Sequence, residues 1–387
     1  MRRPPALSVL PVLFALAAAP LAAQVPVGGE IAVNPNEAGR ARPDVGVAAD
    51  GSFVVVWQAQ GRGSHVWVRL YRADGEPRGR GLRVSRLGIG HQVAPVVAVR
   101  PDGSFVVVWN RIAARGKRVE VYASRFTAGG QAIGEPRFVG YTGQPAAVTL
   151  LPGGGFFVAW TLEDGEPPSR DLYGRRFTRN GVPAGGRVTL NEDPGGDQRH
   201  PECAVSPGAE IVCTWTSDLG EGSFGATMFR RFDLAGRPLG DELQVNEPDT
   251  TGDRRHPSLA VHADGTVLVT WLDVTDVGHI HARLLDDADR FLGPTFLVGE
   301  TPTIFGGPRA AATDAGFAVV WPVGNGVLLR EVSAAGAVAG AERQVNEHFD
   351  GTLVNAAIAF GPAGGAVVWT SHGALIRDVS IRARRLR

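Results

Sequence analysis

"DGSFVVVW" occupies residues 50–57 and recurs unchanged at residues 102–109. Aspartate and glycine tolerate the backbone of a tight turn, and the apolar run behind them ends on an aromatic ring. The octapeptide therefore reads as a hairpin turn entering a buried strand. Related runs end on five further tryptophans: "FFVAW" at Trp160, "IVCTW" at Trp215, "VLVTW" at Trp271, "FAVVW" at Trp321 and "GAVVW" at Trp369. Successive tryptophans lie 52, 51, 55, 56, 50 and 48 residues apart, a spacing regular enough to mark a structural repeat.

Each copy has the same surroundings. A short run opening with proline precedes the turn, as in "PDVGVAADG", "PVVAVRPDG" and "PSLAVHADG". A polar, glycine-rich stretch follows the tryptophan, then a third strand such as "YASRFTAGG", "YGRRFTRNG" or "MFRRFDLAG". Another glycine turn leads to a fourth strand, "LRVS", "RVTLN", "LQVN" or "RQVN". Four antiparallel strands, seven times over, predict an all-β, seven-bladed β-propeller. After Trp369 comes a third strand, "VSIRARRLR", and no fourth, whereas "GEIAVN" at residues 29–34 has the fourth-strand pattern ahead of the first repeat. The N-terminal strand is thus expected to complete the last blade and close the ring, which leaves no sheet edge open along the circuit. Residues 24–387 then form a single domain.

These blades resemble a broad group of exported bacterial propeller repeats that share P-x-hydrophobic-A, DG-x-F-VVVW and hydrophobic-V-N. The resemblance spans the chain from residue 24 onward and implies the fold without an activity. A looser similarity to TolB-type propellers rests on "RPDG", Arg100 to Gly103, although the tryptophan-ended second strand departs from that pattern. The sialidase Asp-box differs as well, since a whole strand separates Asp50 from Trp57.

The chain starts "MRRPPALSVLPVLFALAAAPLAAQ", with Arg2 and Arg3 before an apolar run closed by small residues, the order of a secretory signal peptide cleaved after Ala23. That run is short and broken by proline, and none like it follows, so no membrane insertion is expected. The only cysteines, Cys203 and Cys213, are far from the cleavage point, which argues against a lipid anchor. They flank the "SPGAE" turn of the fourth blade, where an exported protein would carry a disulfide stapling the hairpin. Acidic and basic residues number 39 each, and loss of Arg2 and Arg3 leaves a net charge of −2, without the basic footprint of a nucleic-acid binder. Lys117 is the only lysine and precedes Arg118, which excludes a phosphate-binding P-loop. A monomeric periplasmic or extracellular protein is expected.

"NEPDTTGDRRHPSLAV", residues 246–261, and its near copy "NEDPGGDQRHPECAV", residues 191–205, join one blade to the next. Asn34, Asn191, Asn246 and Asn346 end fourth strands, where an asparagine side chain can bond turn backbone, and the prolines open inner strands with a fixed φ. The turn leaves Arg199, His200, Arg255 and His256 unexplained, with Glu192 and Glu247 near them. The shorter joins "GRARP" and "GHQVAP" add Arg42 and Gln92. Together these residues predict a ligand face at the channel mouth. The reading is a binding or interaction module for a glycan or an envelope protein. One alternative is a carbohydrate-active hydrolase or lyase using the same face, and another a structural envelope component.

No catalytic residue stands out: there is no Gly-x-Ser-x-Gly elbow, no cysteine placed as a nucleophile and no distinguished carboxylate pair. No cofactor is expected either, because "GEGSFG", with Gly220, Gly222 and Gly225, precedes no helix. His279 and His281 share one strand face but lack a third metal ligand, and the acidic loops "TLEDGEPPSRD" and "LDVTDVG" lack EF-hand spacing. Arg125, Arg176, Arg231 and Arg283 recur on third strands and are read as contacts to a neighbouring blade or turn. Intact mass of the exported protein should correspond to a chain beginning at Gln24; a mass that retains residues 1–23 would contradict the leader.

Overall fold

The computed structural model describes residues 24–34, 42–61, 63–84, 90–113, 118–142, 145–163, 170–193, 195–218, 225–247, 252–302, 306–349, 351–373 and 379–387. The expected leader and Lys117, Gly220 and Gly222 lie outside them. In the quoted hairpins Gly51 and Gly103 take φ of 80° and 81°. Gly51 N donates to Ala48 O at 3.1 Å and Ala48 N to Ser52 O at 2.8 Å, a turn that needs its glycine left-handed. Asp50 Oδ1 accepts from both Ser52 N (2.9 Å) and Ser52 Oγ (2.6 Å), and Asp102 repeats the arrangement with Ser104. In the third repeat the same two turn bonds, Gly154 N to Leu151 O and Leu151 N to Gly155 O, close around a 3-10 turn, Pro152–Gly154, the only helical element among the described residues.

The chain is all-β, built from sheets of antiparallel strands in chain order. Five sheets hold four strands each; a sixth holds eight, two such units joined through a single parallel pairing of Arg170 with Asp197. The inner strands are Asp44–Val47, Gly90–Val99, Ala147–Leu150, Asp197–Val205, Asp253–Val261, Arg309–Thr313 and Thr352–Gly361. The strand Pro26–Ala32 pairs with the C-terminal strand Val379–Leu386, Pro26 opposite Leu386 and Ala32 opposite Arg382. Its last turn is fixed by Asn34, whose Oδ1 accepts from Ile381 N at 2.6 Å. Asn191, Asn246 and Asn346 accept in the same way from Leu172, Thr227 and Val327 N at 2.7 to 2.8 Å. These asparagines extend the outer ladder by one bond and turn the chain toward the next inner strand.

Packing explains the unbroken apolar tryptophan strands. Successive side chains point to opposite faces, and here both faces are covered. Phe53, Val55 and Trp57 pack with Val368, Ile381 and Ala383 of the last sheet, whereas Val54 and Val56 pack with Phe105, Val107 and Trp109 of the second. All seven repeat tryptophans are at most 1% exposed, and each lies in a cluster shared with the preceding sheet, Trp160 with Val106 and Val108, for example. A second set of contacts joins the same neighbours at the rim. Arg69, Arg283, Arg330 and Arg384 each donate Nη1 at 2.8 Å to a carbonyl of the preceding outer strand, and Arg175 and Arg230 do so at 3.2 and 3.3 Å.

The expected third-strand arginines split between two positions. Arg283 belongs to the carbonyl-bonding set, whereas Arg125, Arg176 and Arg231 stand one residue further along. Arg125 Nη1 reaches Arg179 O in the next sheet at 2.6 Å, and Arg231 pairs with Glu210 (2.9 Å) and Asp289 (2.7 Å). Cys203 and Cys213 face each other across the fourth hairpin and form a disulfide. No helix among the described residues is long and apolar enough to cross a membrane.

Gly140 lies on the outer strand of the second sheet against Trp160 of the third. A Cβ there would stand 2.8 Å from Trp160 Cζ2 and 2.9 Å from Cε2. Since its φ is not in the left-handed region, any penalty for Gly140→Ala comes from this overlap alone. The substitution should cost about 1–3 kcal/mol in urea unfolding, and an unchanged midpoint would contradict the packing described.

Candidate functional site

The inner strands pack against one another in succession, and the strand Asp44–Val47 touches both Gly90–Val99 and Thr352–Gly361. Four of them are bent near their first residues by the same device. Ala94, His200, His256 and Asn355 are left-handed, with φ between 51° and 52°, and each sits where the pairing register slips. Three of the four precede proline, which makes that conformation costly, of order 1–3 kcal/mol each. The strain brings the rings of His200 and His256 to 4.3 Å between centroids, tilted by 49°. Gly307 holds the equivalent place in the sixth repeat. A Cβ there would collide with the Cβ and carbonyl oxygen of His256, so no side chain fits beside that ring.

The residue after each inner-strand proline forms a second layer. Arg309 Nη1, from the sixth repeat, passes over the fifth to meet Glu202 Oε2 of the fourth at 2.5 Å. Asp44, from the first repeat, acts electrostatically on both partners. Such meetings between non-adjacent sheets arise only where the inner strands converge. Asp44 Oδ2 accepts from Val97 N at 2.8 Å and Ser258 Oγ from Ala310 N at 3.1 Å, so each ties its strand to the next one round. Glu202 instead hydrogen-bonds Ser258 and Arg309. Burial pushes the carboxyls of Asp44 and Glu202 up, and the Arg309 charge opposes it; the carboxylates in turn raise Arg309, Glu202 most. The Glu202 and Arg309 side chains keep 24% and 43% exposure, so protein surrounds them without sealing them from water.

Both histidines are neutral at pH 7. Burial is the main cause, taking His200 down to about 3 and His256 to about 4; Arg42 and Arg309 repel a proton on either ring, Arg199 one on His200 and Arg255 one on His256. Arg199 is itself held by Asp197 (2.8 Å) and Asp218 (2.9 Å), and Arg255 Nε by Asp253 (2.7 Å). Neutral imidazoles offer one donor and one acceptor each, the complement of sugar hydroxyls.

Of the residues expected at the face, His200 and His256 meet ring to ring, Arg42 acts electrostatically on both, and Arg199 and Arg255 act on His200 and His256 respectively. Gln92 is elsewhere: fully buried, it accepts from Trp109 Nε1 at 2.8 Å, as Gln198 does from Trp215 at 2.9 Å. Glu192 and Glu247 belong to the rim contacts, with Arg230 at 3.1 Å and Arg283 at 3.8 Å. Sequence reasoning missed Asp44, Glu202 and Arg309. They fill the x of the P-x-hydrophobic-A pattern, where other copies place Val96, Ala146 and Ser258, so charge in that column was the available signal. His281 and His279 approach Asp273 (3.7 Å) and Glu300 (3.8 Å), and among the described residues no three His, Cys, Asp or Glu side chains are grouped to hold a metal ion.

No protein-family model matches the sequence, and no curated protein matches it. Solved structures do resemble it. A protein of unknown function from Dyadobacter fermentans superposes with a TM-score of 0.57 at 13% identity, over 94% of this chain and 99% of its own. An α-L-arabinofuranosidase from Fusarium graminearum, in complex with an iminosugar inhibitor, reaches 0.58 at 10% identity over 93% and 98%. A polysaccharide lyase reaches 0.58 at 10% identity over 92% and 90%. At such identities the likeness concerns the fold, and the fold is a β-propeller.

Acid should weaken this region first. The native imidazoles of His200 and His256 take protons only near pH 3 and 4, against an ordinary value of 6.5, so an unfolded chain binds more protons in between. Stability is therefore full above about pH 6.5 and falls as pH drops toward about 4. Asn355 already occupies the equivalent left-handed position, so His200→Asn with His256→Asn keeps the backbone while removing both titrations. The double variant should flatten the pH dependence of the urea midpoint; an unaltered profile would place the acid sensitivity elsewhere.

Proposed function

We propose that the protein is an exported, seven-bladed β-propeller that cleaves or remodels carbohydrate at the point where its inner strands converge. Closure of the ring is supported by the pairing of the N-terminal strand with Val379–Leu386, and by a Trp57 cluster that joins the first sheet to the last. Export is supported by the leader pattern and by the disulfide, a bond that persists in oxidising compartments.

The observation that carries the function is the Asp44, Glu202 and Arg309 cluster. Glycosidic bonds are commonly cleaved between two carboxyl groups, one holding a proton for the leaving oxygen and one ionised. Burial raises both carboxyls here, and an arginine distinguishes them by binding one directly. Glu202 becomes the proton donor once substrate draws Arg309 away from it, because Asp44 stays engaged by a backbone N–H that favours its charged form. The neutral His200 and His256 read hydroxyls above the carboxyls, and Arg42 lines the exposed edge. That structural neighbours include an arabinofuranosidase and a polysaccharide lyase agrees with this reading.

Purified chain should be incubated with a panel of soluble and insoluble polysaccharides, scoring reducing ends, unsaturated products and protein retention. Product from at least one polysaccharide is expected, reduced about 100-fold or more in Glu202→Gln. Retention without product, lost in His200→Asn with His256→Asn, would make the same face a binding module. Neither product nor retention would leave the cluster a structural plug.

A further inference from the structure

We infer that the Glu202–Arg309 ion pair is the resting form of a subsite for a uronic-acid residue, whose carboxylate takes Arg309 from Glu202 while Glu202 binds a proton. This rests on the carbohydrate reading and names the sugar class of the same site. The cluster contains two carboxylates and one guanidinium. Asp44 is anchored by Val97 N–H, so Glu202 is the carboxylate free to give up its partner. Arg309 reaches Glu202 from two repeats away and keeps a 43% exposed side chain, so a ligand can approach it from the water side.

Charge conservation spares the exchange the cost of burying an extra charge. Before it, Asp44 and Glu202 are anionic and Arg309 is cationic; afterwards Asp44 and the ligand are anionic, Arg309 is cationic and Glu202 is neutral. No additional charge is buried, and one proton comes from solvent. The groups facing Glu202 are Arg309, Ser258 and Asp44. Arg309 is the strongest of these influences keeping it ionised, while burial and the Asp44 charge both favour the protonated form. His200, two positions earlier, is neutral and supplies no competing cation. The freed, protonated Glu202 is also the acid that cleavage requires, so an acidic sugar would prepare its own catalyst. A neutral sugar has no group to displace Glu202.

The test is calorimetric titration of the full chain at neutral pH with tri-galacturonate and with its methyl-esterified, uncharged counterpart, in two buffers of different ionisation heat. The acidic trisaccharide should bind about tenfold tighter or more, with uptake of up to about one proton per site. Glu202→Gln should keep the binding and lose the uptake. Glu202→Gln with Arg309→Gln removes one charge of each sign and leaves Asp44 on its Val97 N–H bond; with its fold checked by circular dichroism, it should lose the preference for the acid form. Equal binding of both trisaccharides, or binding of the acid without proton uptake, overturns the inference and leaves the carbohydrate reading standing. Absence of binding here, with no product or retention from any polysaccharide, removes both.

Discussion

Burial of an indole from each repeat against the repeat before it is the contact on which the remainder of the structure depends. A single four-stranded sheet cannot cover both of its own faces. In the second strands, alternate side chains are divided between two neighbours, so that Val55 and Trp57 serve one interface and Val54 and Val56 the other. Hence a run such as "FVVVW" has no polar face, and hence Gly140 and Gly299 approach indoles of the following sheet closely enough to exclude a Cβ. The rim arginines follow from the same neighbour relation. A guanidinium such as Arg384 can reach the Val345 carbonyl only because the indole layer has fixed the spacing and rotation of adjacent sheets.

The architecture was largely legible because its signals are local and repeated. Turn, tryptophan strand and terminal asparagine each occupy a few consecutive residues, and several copies average out the noise of any one. The pairing of Cys203 with Cys213 was legible for the same reason, since both belong to one hairpin. The site was legible only in part. His200 and His256 were visible because arginine-histidine-proline occurs twice, yet the contact of their rings depends on two bulges that no pattern of polar and apolar residues reveals. A like bulge at Ala94 ends simple alternation in Gly90–Val99, where Gln92 turns inward to its indole instead of outward. Arg309 and Glu202 are 107 residues apart, and only the rotation between sheets makes them partners. The third-strand arginines do reach neighbouring sheets, but Arg283 stands one residue away from the position shared by Arg125 and Arg231 and so serves the opposite neighbour.

The repeats are alike where they pack and unlike where they converge. At the residue before the inner-strand proline the sequence places Arg42, Ala94, Gln144, His200, His256, Gly307 and, before an alanine, Asn355; the residue after the proline is equally varied. These side chains contribute little to the indole interfaces, so the packing rules that make the copies similar do not restrain them. The result is lopsided. Charged and hydrogen-bonding groups come from the first and the fourth to seventh repeats and small apolar ones from the second, while the third has glutamine before its proline and alanine after it. Strain at the left-handed residues is tolerated because the sheets behind them are held by tryptophan.

The pairing of the strand Pro26–Ala32 with Val379–Leu386 also has a mechanical meaning. Pro26 stands opposite Leu386, and Val25 and Arg387 exchange backbone hydrogen bonds at 2.9 and 3.0 Å, so both ends leave the sheet at the same place. A pull on the two ends would load this ladder at its terminal pair and open it bond by bond, as a zipper opens, instead of shearing all its bonds together. A molecule held at interior points of different sheets would resist with whole indole interfaces. This ladder is therefore the compliant element of an otherwise stiff set of packed sheets, and how the molecule is tethered decides whether tension unwinds it or is borne by it.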